Sequence, residues 1–167
     1  MKISFILLLL IILLMACTQK VDSEIESQSA KNVSNKEDAN MEVTEKEAIQ
    51  QVVEKAYIRG IHGNQDEKAV KGGFHKDFNM LVLQNNTIEK VTVDEWLDRV
   101  EKMKADNPQL WEAETTYNFE FIDFTSYAAV AKLDVYKGKT HFSTDYMLLY
   151  RFEDGWKIVS KIFAIPH

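Results

Sequence analysis

The sequence has a single cysteine and no concentration of positive charge, and each shortage excludes a class of protein. Cys17 is the only cysteine, so the fold must stand on its core without an internal disulfide. Lysine and arginine total 20 against 26 acidic residues, without a basic cluster. Nucleic-acid binding is therefore disfavoured, because phosphate contacts need a basic face. The chain also lacks a glycine-rich phosphate loop, a Gly-x-Ser-x-Gly elbow, a His-Glu-x-x-His motif and internal repeats.

The first residues have the pattern of an export signal. Lys2 is the only charge before the apolar residues 3–16, a run shorter than the roughly 20 residues that span a bilayer. A basic start, a short apolar stretch and small residues at its end predict a signal peptide over residues 1–16. The run ends in Leu14-Met15-Ala16-Cys17, which resembles the bacterial lipobox. This resemblance implies cleavage before the cysteine and lipidation of its sulfur; the alternative is an ordinary signal with an incidental cysteine.

Lipidation of Cys17 would place the protein in the bacterial cell envelope. Several acyl chains on one residue anchor stably, whereas a single chain binds only marginally. The outer membrane or periplasmic side is favoured, because Thr18 and not aspartate follows the cysteine. An acylated cysteine leaves no thiol for catalysis or metal binding. The polar residues 17–43 contain no aromatic side chain and no apolar period, so they predict a flexible linker, with a recognition role for their acidic residues as the alternative.

Residues 44–167 are long enough for one domain with its own core. Thr44 to Glu47 and Thr92 to Glu95 both have the capping-box pattern, which predicts a helix beginning at each threonine. Asp66 follows Gln65 at the start of a shorter predicted helix, which ends at Gly72-Gly73. The domain therefore begins with helices.

Long stretches rich in β-branched and aromatic residues make up most of the remainder. Turn signals at Asn85-Asn86, Gly138 and Asp154-Gly155 separate them. The predicted strands lie within residues 74–83, 111–124, 127–136, 140–152 and 156–165. This order predicts an α+β domain with helices on one face of an antiparallel sheet. Because both faces of the strands are fairly apolar, we expect a second copy to cover the other face, which makes a homodimer.

Five short motifs, in order, resemble the nuclear transport factor 2-like superfamily, also called the SnoaL-like or cystatin-like cone fold. They are Tyr57-Ile58-x-Gly60, Gln65-Asp66-x-x-x-Val70, Phe74-His75-x-Asp77-Phe78, Asp145-Tyr146-x-Leu148-Leu149 and the stretch from Asp154 to Phe163. Within it, the chain is most similar to the bacterial "putative lumazine-binding" group over nearly all of residues 44–167. The resemblance implies a curved antiparallel sheet wrapped around N-terminal helices, with a pocket between them. Such folds serve enzymes, small-molecule binders and interaction modules, so the fold alone selects no function.

Tyr57 is the first candidate for chemistry. The resemblance to isomerases of this superfamily implies a tyrosine that donates a hydrogen bond to an enolate oxygen. The alternative is a pocket-lining aromatic whose hydroxyl has a structural partner. The isomerase base would fall at Val82, where there is no carboxylate to take a proton. This departure argues against isomerase chemistry by that mechanism.

His75 and Asp77 would face the same way on a strand and could form a general base or half of a metal site. The alternative is that they close the turn after the second helix through backbone hydrogen bonds. A metal site normally has three or four ligands, and no other histidine has supporting spacing. No metal and no cofactor are therefore predicted.

Asp145 lies among apolar strand residues, where a carboxylate is costly unless it is paired or lines a cavity. Lys161 is its candidate partner, either as a polar contact of the pocket or as a pair across the sheet. Aromatic residues supply the remaining candidates for a pocket wall, with core packing as the alternative for each. The candidate ligand-binding residues are Tyr57, Phe74, Trp96, Tyr117, Asp145 and Lys161, with Tyr146 and Phe163 as further aromatics.

Three functions follow from these residues. The leading hypothesis is a lipid-anchored envelope protein that binds a small, partly apolar molecule in an aromatic-lined pocket. The second is an interaction module whose pocket is filled by its own side chains. The third is a cyclase, dehydratase or isomerase that uses Tyr57 with His75 or Asp145, which the absence of a base at Val82 makes the least favoured.

Overall fold

The computed structural model describes residues 40–63 and 66–166. The chain divides into two units, Met1–Thr44 and Glu45–His167, and the second contains the sheet. The predicted signal peptide, Cys17 and the linker up to residue 39 lie outside the described residues. Within the part that is described, no helix has both the length and the apolar character needed to cross a membrane.

Four helices are described. The first, α1, is α-helical over residues 40–52 and π-helical over Val53–Arg59. The others are α2 (Glu67–Gly73), α3 (Val93–Asp106) and α4 (Pro108–Glu112). A π-helical turn is rare and is often found at functional sites.

Two of the three predicted helix starts are confirmed. Asp66 accepts a hydrogen bond from the backbone amide of Ala69 at the start of α2, and Thr92 and Glu95 form the reciprocal capping box of α3. Thr44 does not begin a helix. It lies within α1, where its hydroxyl donates to the Asn40 carbonyl one turn earlier, at 2.9 Å. A threonine inside a helix satisfies its hydroxyl in this way, so it has no need to cap an end.

Six strands form one curved sheet that does not close into a barrel. They are β1 (Phe74–Gln84), β2 (Thr87–Val91), β3 (Thr115–Thr125), β4 (Ala128–Lys137), β5 (Thr140–Phe152) and β6 (Gly155–Ala164). Their order across the sheet is β2-β1-β6-β5-β4-β3. Neighbouring strands are antiparallel except β1 and β6, which are parallel. The predicted α+β fold is confirmed, with one parallel pair that the sequence did not indicate.

Two elements differ from the sequence prediction. The residues after the Asn85-Asn86 turn form β2, which pairs with β1, and both turn residues have positive φ (48° and 62°). Trp111 lies in α4 and not in a strand, because the Asn107 side chain caps this helix and Pro108 occupies its first position. Consequently, the Trp111 ring belongs to the helical layer.

The helices cover one face of the sheet and leave the other exposed. Along β5 the alternation is regular from residue 145 to residue 150. Asp145, Met147 and Leu149 are buried, whereas Tyr146, Leu148 and Tyr150 are exposed. We call these the covered face and the outer face. Large apolar side chains that are fully buried in the core include Tyr57, Phe78, Ile49, Ile61, Leu133, Met147, Leu149 and Ile158.

Helices α1 and α2 approach each other at a distance that only glycine permits. A Cβ atom added to Gly73 would lie 2.3 Å from the Cβ atom of Ala56, whereas one added to Gly72 would meet nothing within 4 Å. The Gly72-Gly73 pair therefore ends α2 and also brings it against the helix that carries Tyr57.

Candidate functional site

A cavity of about 410 Å³ lies between the covered face of the sheet and the helices. This volume falls within the ~300–1,000 Å³ that is usual for small-molecule sites. Its walls are mainly aromatic and aliphatic. The aromatic members are Tyr57, Trp96, Trp111, Phe142 and Phe163.

A buried cluster of three polar side chains stands at the cavity wall. Tyr57 donates a hydrogen bond to Asp145 Oδ2, and both residues are fully buried. Lys161 Nζ lies 3.0 Å from Asp145 Oδ1 in an ion pair and donates to the Tyr57 hydroxyl at 3.2 Å. The contact with Oδ1 lacks the angles of a hydrogen bond, so charge attraction holds it. A buried carboxylate and a buried ammonium are thus brought together by elements far apart in the chain.

Burial governs the ionisation of this cluster. Desolvation raises the pKa of Tyr57 well above 10, and the adjacent charge of Asp145 raises it further, while the nearby Ser143 hydroxyl opposes the shift. Desolvation also lowers the pKa of Lys161, and the attraction of Asp145 partly offsets it. The tyrosine is therefore neutral at physiological pH, and its only proton is engaged by the carboxylate.

Lys161 is held among aromatic rings. Its Nζ atom lies 4.7, 4.8 and 4.9 Å from the ring centroids of Tyr57, Trp96 and Phe163. These cation–π contacts compensate part of the lost hydration of the ammonium group. Because an ammonium group has three donors and Lys161 makes one hydrogen bond, to Tyr57, donors remain for a molecule in the cavity.

Two buried polar side chains at the cavity have no hydrogen-bond partner among the described residues. They are His62, through both ring nitrogens, and Ser143, whose Oγ lies near the Tyr57 hydroxyl without the geometry of a hydrogen bond. His62 is only 5% exposed, and burial together with the charges of Lys161, Lys137 and Lys104 lowers its pKa well below 6.5. Its ring is consequently neutral and offers one donor and one acceptor. Unpaired buried polar atoms are costly, and a bound polar group would satisfy them.

A β-bulge aims Phe142 into the cavity. Val135 pairs with Ser143 but the next residue, Tyr136, pairs with His141, so Phe142 is the extra residue of β5. Its ring meets His62 edge-on at 5.5 Å and Trp111 at 5.9 Å. Without the bulge, Phe142 would share the outer face with Tyr146, as strict alternation along the strand predicts.

The structure separates the residues that the sequence grouped as ligand-binding candidates. Tyr57, Trp96 and Lys161 line the cavity, and Asp145 lies behind them. Phe74 is buried and packs edge-on against Phe78 and Trp96 without reaching the lining. Tyr117 is 37% exposed on β3 and stands away from the lining as well.

The other sequence candidates lie elsewhere or have a different role. His75 stacks on Phe152 at 4.7 Å and accepts a hydrogen bond from the Asp77 amide, away from the cavity. Tyr146 is exposed on the outer face, whereas Phe163 lines the cavity, as does Val82. Over residues 40–63 and 66–166, no three His, Cys, Asp or Glu side chains are grouped so that they could hold a metal ion.

His62, Ser143, Trp111 and Phe142 were not identified as site residues from the sequence. His62 follows the π-helical turn, Trp111 was assigned to a strand, and Phe142 depends on a bulge. A signal existed only for Ser143, which shares the strand periodicity of Asp145 and so belongs to the covered face.

Solved bacterial structures have the same fold. An NTF2-like protein of unknown function from Shewanella baltica is 22% identical, and the match covers 75% of this chain and 96% of that chain with a TM-score of 0.60. A second, from Silicibacter pomeroyi, is 17% identical over 71% and 93%, with a TM-score of 0.57. An NTF2-like protein with a cystatin-like fold from Novosphingobium aromaticivorans is 12% identical over 79% and 88%, with a TM-score of 0.56. At these identities the similarity establishes the fold alone.

No curated protein matches this chain. The model of one protein family, described as "Putative lumazine-binding", matches residues 44–164, which include every strand and every residue named above at the cavity. With the helices inside a curved sheet and the same fold in the solved NTF2-like proteins, this match assigns the chain to that family of NTF2-like domains.

Proposed function

We propose that this protein is anchored by a lipid in the bacterial cell envelope and binds a small, partly apolar molecule in the cavity of its NTF2-like domain. The observation that carries the binding proposal is the cavity itself. Its aromatic walls surround about 410 Å³, and the buried polar atoms of His62 and Ser143 face it without partners. Small-molecule sites combine these two features, an apolar enclosure and a few convergent polar groups.

Binding would be driven by burial of the apolar body of the ligand and oriented by polar contacts. The rings of Trp96 and Trp111 supply flat apolar surface. Ser143, His62 and the remaining donors of Lys161 supply hydrogen bonds. Because the Tyr57 proton is engaged by Asp145, the proposal gives the tyrosine a supporting role in the wall.

Native mass spectrometry of the protein released from its own host's envelope tests the binding proposal. We expect an extra small mass that is lost on denaturation. Val82→Trp places an indole in the cavity and should remove the extra mass. Leu83→Trp is the matched control, because the adjacent Leu83 is 73% exposed and outside the lining. An extra mass that survives Val82→Trp would refute binding at this site.

The lipid anchor is proposed from the sequence around Cys17 alone. Metabolic labelling with an alkyne-bearing palmitate should label the wild-type protein and not the Cys17→Ser variant. The wild type should also need detergent for extraction from membranes. An unlabelled wild-type protein in a bacterial host would contradict lipidation.

The outer face of the sheet favours a homodimer as a further part of the proposal. Leu148, Tyr150 and Ile162 are each about half exposed there, and Tyr146 stands opposite Ile162, while Lys132 lies between Tyr146 and Phe121. Monomers seldom leave a group of large apolar side chains together in water, and a second copy would cover it with an identical surface. Light scattering should give a dimer mass that Leu148→Arg halves and Ile88→Arg, on the edge strand β2, leaves unchanged. A monomer mass at tens of micromolar protein would exclude the dimer.

A further inference from the structure

The charged side chains that line the cavity have one sign. They are Arg99, Lys102 and Lys161, and no carboxylate of residues 40–63 or 66–166 lines it, although acidic residues outnumber basic ones 26 to 20 in the chain. The charged side chains of the lining are therefore positive, whereas the protein as a whole has a net negative charge.

Two more ammonium groups stand behind the aromatic wall. Lys137 Nζ lies 4.4 Å and Lys104 Nζ 5.5 Å from the ring centroid of Trp111, which lines the cavity. Lys137 is buried and donates to the His62 carbonyl at 3.1 Å and to the Thr115 hydroxyl at 2.7 Å. These partners are neutral, so they satisfy its donors without cancelling its charge.

Carboxylates neutralise only part of this group. Asp145 pairs with Lys161 at 3.0 Å, and Glu89 pairs with Arg99 at 2.6 Å. In the described part of the chain, no salt bridge joins Lys102, Lys104 or Lys137 to a carboxylate. Positive charge thus remains in excess at one side of the cavity.

Burial and neighbouring charges lower the pKa values of three groups beside the cavity. Burial lowers the pKa of Lys137 to about 8, and the positive charge of Lys104 contributes. Burial likewise lowers the pKa of Lys104, although Glu101 attracts its ammonium group. The charges of three lysines lower the pKa of His62 in addition to burial. Burial is the main reason why each group is disfavoured as a cation, and for Lys137 and His62 the charges of neighbouring lysines add to it.

We propose that the ligand of this cavity is an organic anion, with a flat apolar body against the aromatic walls and one acidic group at the mouth beside Lys102. The inference rests on the proposed binding function and names its ligand class. The acidic group belongs at the mouth because Lys161, deeper in the cavity, is already neutralised by Asp145, and a second buried anion there would lack a partner. Lys102 is exposed, so it meets the acid where water still solvates both.

Calorimetric titration of the full-length protein with two isosteric probes, 2-naphthoate and 2-naphthamide, tests this proposal. The probes share a ring system and differ in charge. We expect 2-naphthoate to bind more tightly, with an advantage that shrinks as salt is added. Lys102→Gln should reduce the affinity ratio of the two probes about two- to five-fold, since an exposed charge contributes this much. Lys90→Gln, an exposed lysine of β2 outside the lining, should leave the ratio unchanged.

The possible outcomes distinguish a failure of the anion inference from a failure of the proposed binding function. Equal affinities of the two probes, or a ratio unaffected by Lys102→Gln, would overturn the anion inference while leaving the cavity a binding site. Binding at the cavity should be abolished by Val82→Trp and preserved by Leu83→Trp. If neither probe shows this behaviour, the proposed binding function is refuted, and the anion inference is refuted with it.

Discussion

The two faces of the sheet carry similar kinds of side chain, yet they meet different surroundings. On the covered face, Asp145 and Leu149 are almost completely buried, and the charge of Asp145 is matched by Lys161 and by the Tyr57 hydroxyl. On the outer face, Leu148 and Tyr150 are about half exposed and lie beside no buried ion pair. Apolar composition is therefore common to both faces, and it is the paired buried charge that distinguishes the covered one.

The difference in burial between the two faces shows which polar residues indicate a candidate site. A carboxylate among apolar strand residues must find a partner wherever the face is covered, because its desolvation is costly. The partners of Asp145 come from α1 and β6, so the cluster ties three elements together at the cavity wall. The contrast between the faces can be tested by substitution at matched positions.

The largest effect is expected for Asp145→Ala. It leaves the Lys161 ammonium buried without a counter-charge, which should lower the free energy of unfolding by about 3–5 kcal/mol. Urea denaturation measures the change. Asp123→Ala, on an exposed position of β3, is the control and should have little effect. The double variant Asp145→Leu/Lys161→Met should recover much of the lost stability. Equal losses for Asp145→Ala and Asp123→Ala would show that the ion pair does not stabilise the fold.

Adjacent leucines of β5 test the faces most directly. Leu149 is 1% exposed and Leu148 is 51% exposed. Leu149→Ala should cost about 2–5 kcal/mol, because it opens a cavity in the core. Leu148→Ala should cost about 0.5 kcal/mol or less, as exposed substitutions do, when measured at a protein concentration that gives the monomer mass. Similar costs at the two positions would mean that the outer face is as tightly packed as the covered one.

Adjacent glycines of α2 allow the same comparison between a packed and an open position in a helix. Gly73→Ala would force the new methyl group against Ala56 and should cost about 1–3 kcal/mol through overpacking. Gly72→Ala meets no atom and should be neutral or stabilise by up to about 1 kcal/mol. Thermal melting of both variants measures the difference, and a stable Gly73→Ala variant would show that α2 shifts easily away from α1.

The smallest expected effect is a pH dependence of stability that arises from a histidine buried beside the cavity. The unfolded chain protonates His62 near pH 6.5, whereas burial and three lysine charges keep the folded side chain neutral. Since the unfolded state then binds the extra proton, stability falls as the pH drops below 6.5, by up to about 1.4 kcal/mol per pH unit. His62→Phe should remove this component, so the wild type should lose stability relative to the variant as the pH drops below 6.5. Parallel curves between pH 7 and pH 5 would contradict it.

Local patterns predicted the fold because each acts over a few residues. The Thr92–Glu95 capping box, the Asp66 cap and the Asn85-Asn86 turn are all satisfied by neighbours in the sequence. The pairing of Asp145 with Lys161 was anticipated, since a buried carboxylate implies a partner and Lys161 was a nearby cation. Its additional partner, the Tyr57 hydroxyl, was not predicted, because Tyr57 lies in a π-helical turn that the periodicity of the sequence does not indicate.

The rest of the site depends on interactions that sequence patterns do not encode. Phe142 reaches the cavity through one extra strand residue, and Trp111 reaches it because Asn107 and Pro108 start a short helix before β3. The unpaired nitrogens of His62 are visible only once burial and partners are known. Phe74 and Tyr117 are aromatic like Trp96, but their places in the core and on β3 keep them from the lining.

The parallel pairing of β1 with β6 has a consequence for how the chain folds. Phe74, the first residue of the first strand, pairs with Ile158 of the last strand, so the two ends of the domain must meet before the sheet is complete. Contacts between such distant residues slow folding, because the intervening chain loses entropy before the pairing is gained. During synthesis, β1 and β2 must wait until the final strand has emerged. A chain shortened by its last strand would therefore lose the neighbour of β1 together with Lys161, and neither half of the domain would form a sheet with a cavity by itself.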